Sequence, residues 1–206
     1  MYVFAQKLPN WLFCFNKATI LCTKNFIFPE KFNPDVKVTI ASYSDIDEIN
    51  RISGVQSIHI KEMMDSGAKC FMASIKDEPP SSVTWSANRK TYVRGLAFLH
   101  DIGTNGYYSF GSITLPNARG KGIYLKAKCE KIKYEMSKGA EKFYGTIEFT
   151  NTYSYSLQEK LGYQPTIKLT YVKMLFMKIC IVKDISTGKF SIRIIVREPK
   201  GNIIII

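Results

Sequence analysis

The sequence predicts a mixed α/β domain: a central, mostly antiparallel sheet with one parallel pair of strands, flanked by helices. Three observations carry this expectation. Tyr107 to Leu115 is rich in aromatic and β-branched residues, as a strand should be, and Pro116 and Asn117 end it. Past Arg119-Gly120-Lys121-Gly122, the residues Leu125, Cys129, Ile132 and Met136 recur at helical spacing, one apolar face on a lysine-rich cylinder. Lys142 to Glu148 then reads as a strand again, and a strand–helix–strand crossover sets its two strands parallel. A chain of 206 residues suits one domain with extensions and can bury a sizeable core.

In chain order, residues 1–35 carry bulky apolar residues (Tyr2, Val3, Phe4, Trp11, Leu12, Phe13) interleaved with polar and basic ones, closed by Pro29 and Pro34. This composition predicts an extension packed on the main body; aromatics among lysines are also a pattern that binds single-stranded nucleic acid. Residues 36–173 form the expected main domain. Val36 to Ala41 alternates like a strand. Ser44 followed by Asp47 opens a helix with Ile46, Ile49 and Ile52 on one face, which Gly54 stops. A second short helix carries Ile58, Met63 and Met64 and ends near Gly67. Cys70 to Ile75 is a strand, 78–82 a proline- and serine-rich loop, and Trp85 to Lys90 either an extension of that hairpin or loop. Tyr92 to Leu99 reads as the third strand of an antiparallel meander whose fourth begins at Tyr107. Asn151 and Thr152 cap a helix with Tyr153, Leu157 and Leu161 on one face, and Ile167 to Lys173 is a sixth strand. Residues 174–206 hold Leu175 to Val182 and Phe190 to Val196 around a turn, a hairpin that completes or extends the sheet.

Lys+Arg 29 against Asp+Glu 17 gives a formal charge of +12, which attracts polyanions or phosphorylated ligands, or is a solvated lysine-rich surface. Five widely spaced cysteines form no CxxC or zinc pattern, so reduced thiols in a cytoplasmic protein are expected, with no metal. No charged n-region precedes a sustained apolar stretch, so neither signal peptide nor membrane span is expected. The oligomeric expectation is a monomer or homodimer.

A strand that ends in a glycine turn at a helix start makes a site for phosphate. The first helical amides have no partner within the helix, they carry the positive end of the dipole, and glycines let an anion approach the backbone. Neither GxxxxGK[ST] nor GxGxxG is present, which excludes a P-loop and a Rossmann fingerprint. The motif RGKGIY, Arg119 to Tyr124, instead resembles the acyl-CoA-binding motif of the GNAT superfamily, the Gcn5-related N-acetyltransferases. Asn151 to Tyr163, NTYSYSLQEKLGY, resembles that family's second signature, and one helix and one strand separate the two, as in the family.

The resemblance implies acetyl-CoA, or a close acyl-CoA, as donor and an amine as acceptor. It implies that the Tyr107 and Lys142 strands splay, that Ile113, Thr114 and Leu115 pair with the pantetheine arm, and that Arg119, Gly120, Lys121, Gly122, Ile123 and Tyr124 hold the pyrophosphate. Asn151 belongs to the same cofactor-binding set. The amine attacks the thioester directly, so no protein nucleophile is required; a base and an acid are. Two positions depart from the pattern. Tyr124 stands where the motif has Gly or Ala, and Gln158 stands where many relatives carry a tyrosine general acid. Tyr155 or Tyr153 on the same helix, or water, then serves as acid. Glu148 is the foremost candidate base, ahead of His100 and Asp101, while His59 reads as a surface residue. The alternative to an enzyme is a GNAT-fold basic interaction module that binds CoA or nucleic acid.

Overall fold

The computed structural model describes residues 13–88, 91–93, 98–174, 177–195 and 203–204. Outside them lie residues 1–12, with Tyr2, Val3, Phe4, Trp11 and Leu12, residues 94–97 of the Tyr92 to Leu99 run, and residues 175, 176 and 196 of the terminal hairpin.

The strands are β1 (Phe13–Thr23), β2 (Val36–Ile40), β3 (Lys69–Ile75), β4 (Ser82–Ala87), β5 (Thr91–Val93), β6 (Phe98–His100), β7 (Gly106–Thr114), β8 (Lys142–Glu148), β9 (Gln164–Met174), β10 (Met177–Asp184), β11 (Phe190–Ile195) and β12 (Ile203–Ile204). The helices are α1 (Ile46–Ser53), α2 (Ser57–Asp65), α3 (Ile123–Ser137) and α4 (Thr152–Lys160). Nine strands form one sheet in the order β11-β10-β9-β1-β8-β7-β4-β3-β2, and β12-β5-β6 form a small second sheet.

Within the large sheet every pairing is antiparallel except β7 with β8, the two strands joined by the α3 crossover. That parallel ladder spans only Gly106 to Ser109 against Lys142 to Gly145; beyond it the strands part. Gly111 sits just past the parting at φ +55°, beside a register shift in the β4–β7 pairing. A side chain there would meet Trp85 at 3.0 Å from its Cβ, so glycine is required twice over.

Residues 13–35 do more than pack on the body. β1 is inserted between β8 and β9, antiparallel to both. Its register against β9 slips between Ile20 and Leu21, opposite Pro165, which has no amide for the ladder; the Thr166 hydroxyl donates to the Ile20 carbonyl there at 3.0 Å. The third strand of the meander is β4, not the Tyr92 run. All six β4 residues are buried although Ser82, Thr84 and Ser86 alternate with apolar ones, whereas the more strand-like Tyr92 to Leu99 supplies short strands of the second sheet.

Besides a small cluster of Val36, Ala73, Ala118, Ile123 and Ala127, two larger cores flank the sheet. One joins Ile49 and Ile52 of α1 and Ile60 and Met63 of α2 to Val83, Trp85, Tyr108, Phe110 and Leu169. The other joins Ile132 of α3 and Leu161 to Leu21, Phe143, Ile147 and Tyr163. Burying each such side chain contributes about 1.5–3 kcal/mol. Ile46, Ile49 and Ile52 face the core as expected, but Ile60, not Ile58, is the inward residue of α2, and Met136 of α3 is exposed. Tyr153 is 79% exposed and takes no part in the core.

Candidate active site

The mouth of the site lies where β7 and β8 part. The turn after β7 is a short 3-10 segment, Pro116–Ala118, and two glycines with left-handed backbone, Gly120 at φ +76° and Gly122 at φ +79°. Gly122 is the residue before α3, and no side chain caps that helix. The first amides of α3 thus have neither an intrahelical acceptor nor a capping side chain. Arg119 and Lys121 are exposed beside them. The Arg119 Nε donates to the Thr114 carbonyl at 3.2 Å, and Asn33 Nδ2 donates to the Lys121 carbonyl at 3.0 Å, so both ends of the turn are fastened.

Past Ser109 the β8-facing edge of β7 has no strand partner among the described residues. Ile113, Thr114 and Leu115 lie along this stretch, yet several of their backbone groups are already engaged. The Ile113 carbonyl accepts from the Ser82 hydroxyl at 3.0 Å, the Thr114 carbonyl accepts from Arg119, and the Leu115 amide donates to the Ser81 carbonyl at 2.9 Å.

Behind the mouth lies a set of polar side chains whose inner members, Thr84, Lys128, Lys131, Glu135 and Gln158, are buried. Tyr124 is half-buried, and its hydroxyl accepts from Gln158 Nε2 of α4 at 3.2 Å. Gln158 Oε1 accepts from the Lys128 ammonium, which also lies 4.3 Å from the centre of the Tyr163 ring. Ser112 is bonded through its hydroxyl to Thr84 at 2.7 Å, and Thr84 accepts from Lys131 Nζ at 2.6 Å. Lys131 also donates to the Ser109 hydroxyl at 2.5 Å and the Trp85 carbonyl at 3.2 Å. Glu135, one turn on, accepts from Ser86. Two hydrogen-bonded runs therefore start at buried lysines, one from Lys131 through Thr84 to Ser112 and one from Lys128 through Gln158 to Tyr124.

Part of the lysine-rich face of α3, read from sequence as solvated, is thus interior: Lys128 and Lys131 are almost wholly buried. Removing an ammonium from water disfavours its charged form. Burial pulls Lys128 well below the ordinary lysine range, with the Lys131 charge adding to the effect. Burial brings Lys131 down to about 7, against the opposing pull of Glu135. Burial raises the Glu135 carboxyl and the Tyr124 phenol. The stripe Tyr124, Lys128, Lys131, Glu135 has helical spacing, and Thr84, Ser86, Ser109 and Ser112 form its hydroxyl floor. A polar stripe on a helix facing alternate Ser and Thr on strands was the signal available in the sequence.

Glu148 and Tyr155 border one groove elsewhere, but the β1–β8 register puts the Glu148 side chain on the sheet face of Ala18, away from α4. The groove, of about 500 Å³, lies between α4 and the β1–β9 part of the sheet, with Lys17, Lys168 and Phe149 also lining it. Asn16 Nδ2 lies 3.3 Å from the Glu148 carboxylate and donates to it. Gln158 does not line this groove and reaches α3 through Lys128 and Tyr124. Asn151 uses Oδ1 to accept the Ser154 amide at 3.1 Å, capping α4. Asp101 Oδ1 accepts the Gly103 amide at 3.1 Å in the turn before β7, and the side chain of His100 lies outside the described residues. His59 pairs with Glu62 at 3.0 Å on the surface of α2. Among the described residues no group of three or more His, Cys, Asp or Glu is placed to hold a metal, and no helix is long and apolar enough to cross a membrane.

No protein-family model matches the sequence, and no curated protein matches it. Solved structures do. A protein from Novosphingobium aromaticivorans assigned to the GNAT family of acetyltransferases superposes with a TM-score of 0.58 at 14% identity, over 77% of this chain and 63% of that one. A GCN5-related N-acetyltransferase from Kribbella flavida gives 0.51 at 15% identity, over 80% and 59%. A Drosophila protein gives 0.55 at 12% identity, over 79% and 52%. The chain spans between about half and two thirds of the length of these structures. At these identities the likeness is one of fold, and it makes this chain a GNAT-fold protein.

Proposed function

We propose that the protein is an acyl-CoA-dependent N-acyltransferase, most simply one that moves acetyl from acetyl-CoA to a primary amine. The observation that supports this best is the parting of β7 from β8 directly beneath the uncapped start of α3. The β8-facing side of Ile113, Thr114 and Leu115, which has no strand partner among the described residues, suits the arm of the cofactor through the backbone groups not already engaged. The amides from Gly120 to Tyr124, with the charges of Arg119 and Lys121, suit its pyrophosphate, and Asn151 closes the set at the start of α4. When bound, acyl-CoA supplies the activated thioester.

In this reading the chain's own residues position the acceptor and move protons. Glu148 takes the proton from the acceptor ammonium. Tyr124 is the better-placed proton donor, because its hydroxyl stands near the parting of the strands, held by Gln158. Tyr155 shares the groove with Glu148 and is assigned to acceptor positioning, with the donor role expected of it from sequence kept as the alternative. A single acid or base of this kind typically contributes about 10²–10⁴-fold.

A second reading has its own support. The bridge from Tyr124 to Gln158 and Lys128 joins α3 to α4 across the space that the arm would use, as a GNAT-fold module without transfer activity would permit. Release of free thiol from acetyl-CoA, measured over a panel of amines with the parent and with Glu148→Gln, separates the two. Amine-dependent release that falls about 10²-fold in Glu148→Gln supports the enzyme. No release with any amine favours the module.

A further inference from the structure

We infer that β11 is an interface between two copies of this chain, joined edge to edge across a two-fold axis into one continuous sheet. The inference is independent of the acyl-transfer reading.

β11 ends the nine-stranded sheet, and no strand pairs with its outer side among the described residues. Such an edge presents unpaired amides and carbonyls, and proteins ordinarily blunt it with proline, charge, a bulge or a covering element. The opposite edge has cover on one face, where Val36 and Val38 of β2 pack with Ile123 and Ala127 of α3. β11 contains no proline and pairs with β10 without a register shift. Its residues Phe190, Ile192 and Ile194 are 67%, 67% and 62% exposed. They lie opposite Lys183, Ile181 and Ile179, so they share one face of the sheet, and Ile179 carries the apolar patch inward to Val172 of β9. A contiguous exposed apolar patch marks an interaction site.

The β10–β11 ladder decides which backbone groups are free. The Asp184 amide donates to the Lys189 carbonyl at 3.0 Å, which makes Lys183 and Phe190 a non-hydrogen-bonded pair. Alternation extends this to Ile181 with Ile192 and to Ile179 with Ile194. The amides and carbonyls of Phe190, Ile192 and Ile194 therefore point away from β10, to the open edge. The residues with the exposed apolar side chains are the ones able to bond a further strand.

Charge and pattern select a second copy as that strand. Phe190-Ser191-Ile192-Arg193-Ile194 alternates apolar and polar residues symmetrically about Ile192, so it matches itself read backwards, as antiparallel pairing across a two-fold requires. With Ile192 opposite Ile192 of the second copy, Phe190 meets Ile194, Arg193 meets Ser191, and every outward-facing residue exchanges its hydrogen bonds. Sliding the register one way sets Arg193 against Arg193. Sliding it the other way sets Arg193 against Lys189. Each slide opposes like charges, which is destabilising, and loses a bonded pair. A two-fold contact occupies the edge in both copies, so the assembly closes at two. The covered flanks of these side chains amount to on the order of 600 Å² in total, below the roughly 1,200 Å² where standard interfaces begin, so the dimer is a weak one.

The test is sedimentation velocity of the full chain from about 1 to 300 µM. The parent should show a monomer–dimer equilibrium with a Kd of roughly tens of micromolar, the strength expected of a small interface. Ile192→Pro removes an amide that β10 does not use, and Ile192→Lys opposes two ammonium groups on the axis. Each should leave the circular dichroism spectrum unaltered and the chain monomeric throughout. Should Ile192→Pro fail to fold, Ile192→Lys at this exposed position carries the test. Ser191→Glu sets a carboxylate against Arg193 at two places and should tighten the dimer about threefold or more. A parent that stays monomeric, open-ended larger assemblies, a dimer that persists in Ile192→Lys, or a Ser191→Glu chain that dimerises less well would each overturn the inference.

Discussion

Gln158 Nε2 donates to the hydroxyl of Tyr124 at 3.2 Å, tying α4 to α3 where β7 and β8 part. Each partner is a departure from the motif that brings it to notice, and the two departures are in contact. On the proposed reading, Tyr124 supplies the hydroxyl that position 158 lacks. Tyr124→Phe should lower turnover about 10²-fold and leave acetyl-CoA affinity within about twofold, because an acid acts in the transition state. Steady-state kinetics beside direct binding checks this. An unchanged turnover removes the donor role from Tyr124.

Tyr155→Phe should behave differently. As a positioning residue in the groove with Glu148, its loss should raise KM for the amine several-fold and change kcat little. A large fall in kcat with an unchanged KM would return the donor role to Tyr155.

The buried lysines make stability depend on pH with a defined sign. Lys131 binds its proton less well folded, near 7, than unfolded, near the ordinary 10.5. Between those values the unfolded chain holds the extra proton, so raising the pH stabilises the fold, by up to about 1.4 kcal/mol per pH unit for one proton. Lys128 acts in the same direction. Glu135, raised above 4.5, acts the other way, and only in the acidic window just above its unfolded value. Urea denaturation at pH 7, 8 and 9 should show rising stability, and Lys131→Met should flatten the rise. A parent whose stability falls steadily over that range would contradict the burial of these amines.

Gly111 should not tolerate a side chain. Its φ of +55° and the 3.0 Å approach of Trp85 to a Cβ predict that Gly111→Ala costs about 1–3 kcal/mol. The midpoint of urea unfolding reports this at unchanged slope.

What was legible in the sequence was what local chemistry specifies. Pro116, Gly120 and Gly122 announce the turn, Asn151 announces the start of α4, and the strand–helix–strand crossover requires a parallel pair. β1 was not legible in its place, because insertion between β8 and β9 is a pairing across more than a hundred residues that no local pattern encodes. β4 was hidden for another reason: Ser82, Thr84 and Ser86 alternate with apolar residues like a surface strand but lie beneath α3, where they meet Lys131, Glu135 and Ser112. The same layer misled the reading of α3, since a lysine on a helix is ordinarily solvated and Lys128 and Lys131 are not. The groove needed β1 in position before Lys17 could be seen beside Lys168.

The most direct measurement is calorimetric titration of acetyl-CoA into the parent and into Gly122→Asp. That substitution puts a carboxylate at the start of α3, at a backbone φ of +79° with open space around it, 3.7 Å from the nearest atom of Asn33. The account predicts that the parent binds acetyl-CoA and that Gly122→Asp, with an unaltered circular dichroism spectrum, binds it at least about tenfold more weakly. A parent that does not bind acetyl-CoA, or a folded variant that binds it equally well, would contradict the assignment of the glycine turn and the parted strands to an acyl-CoA site.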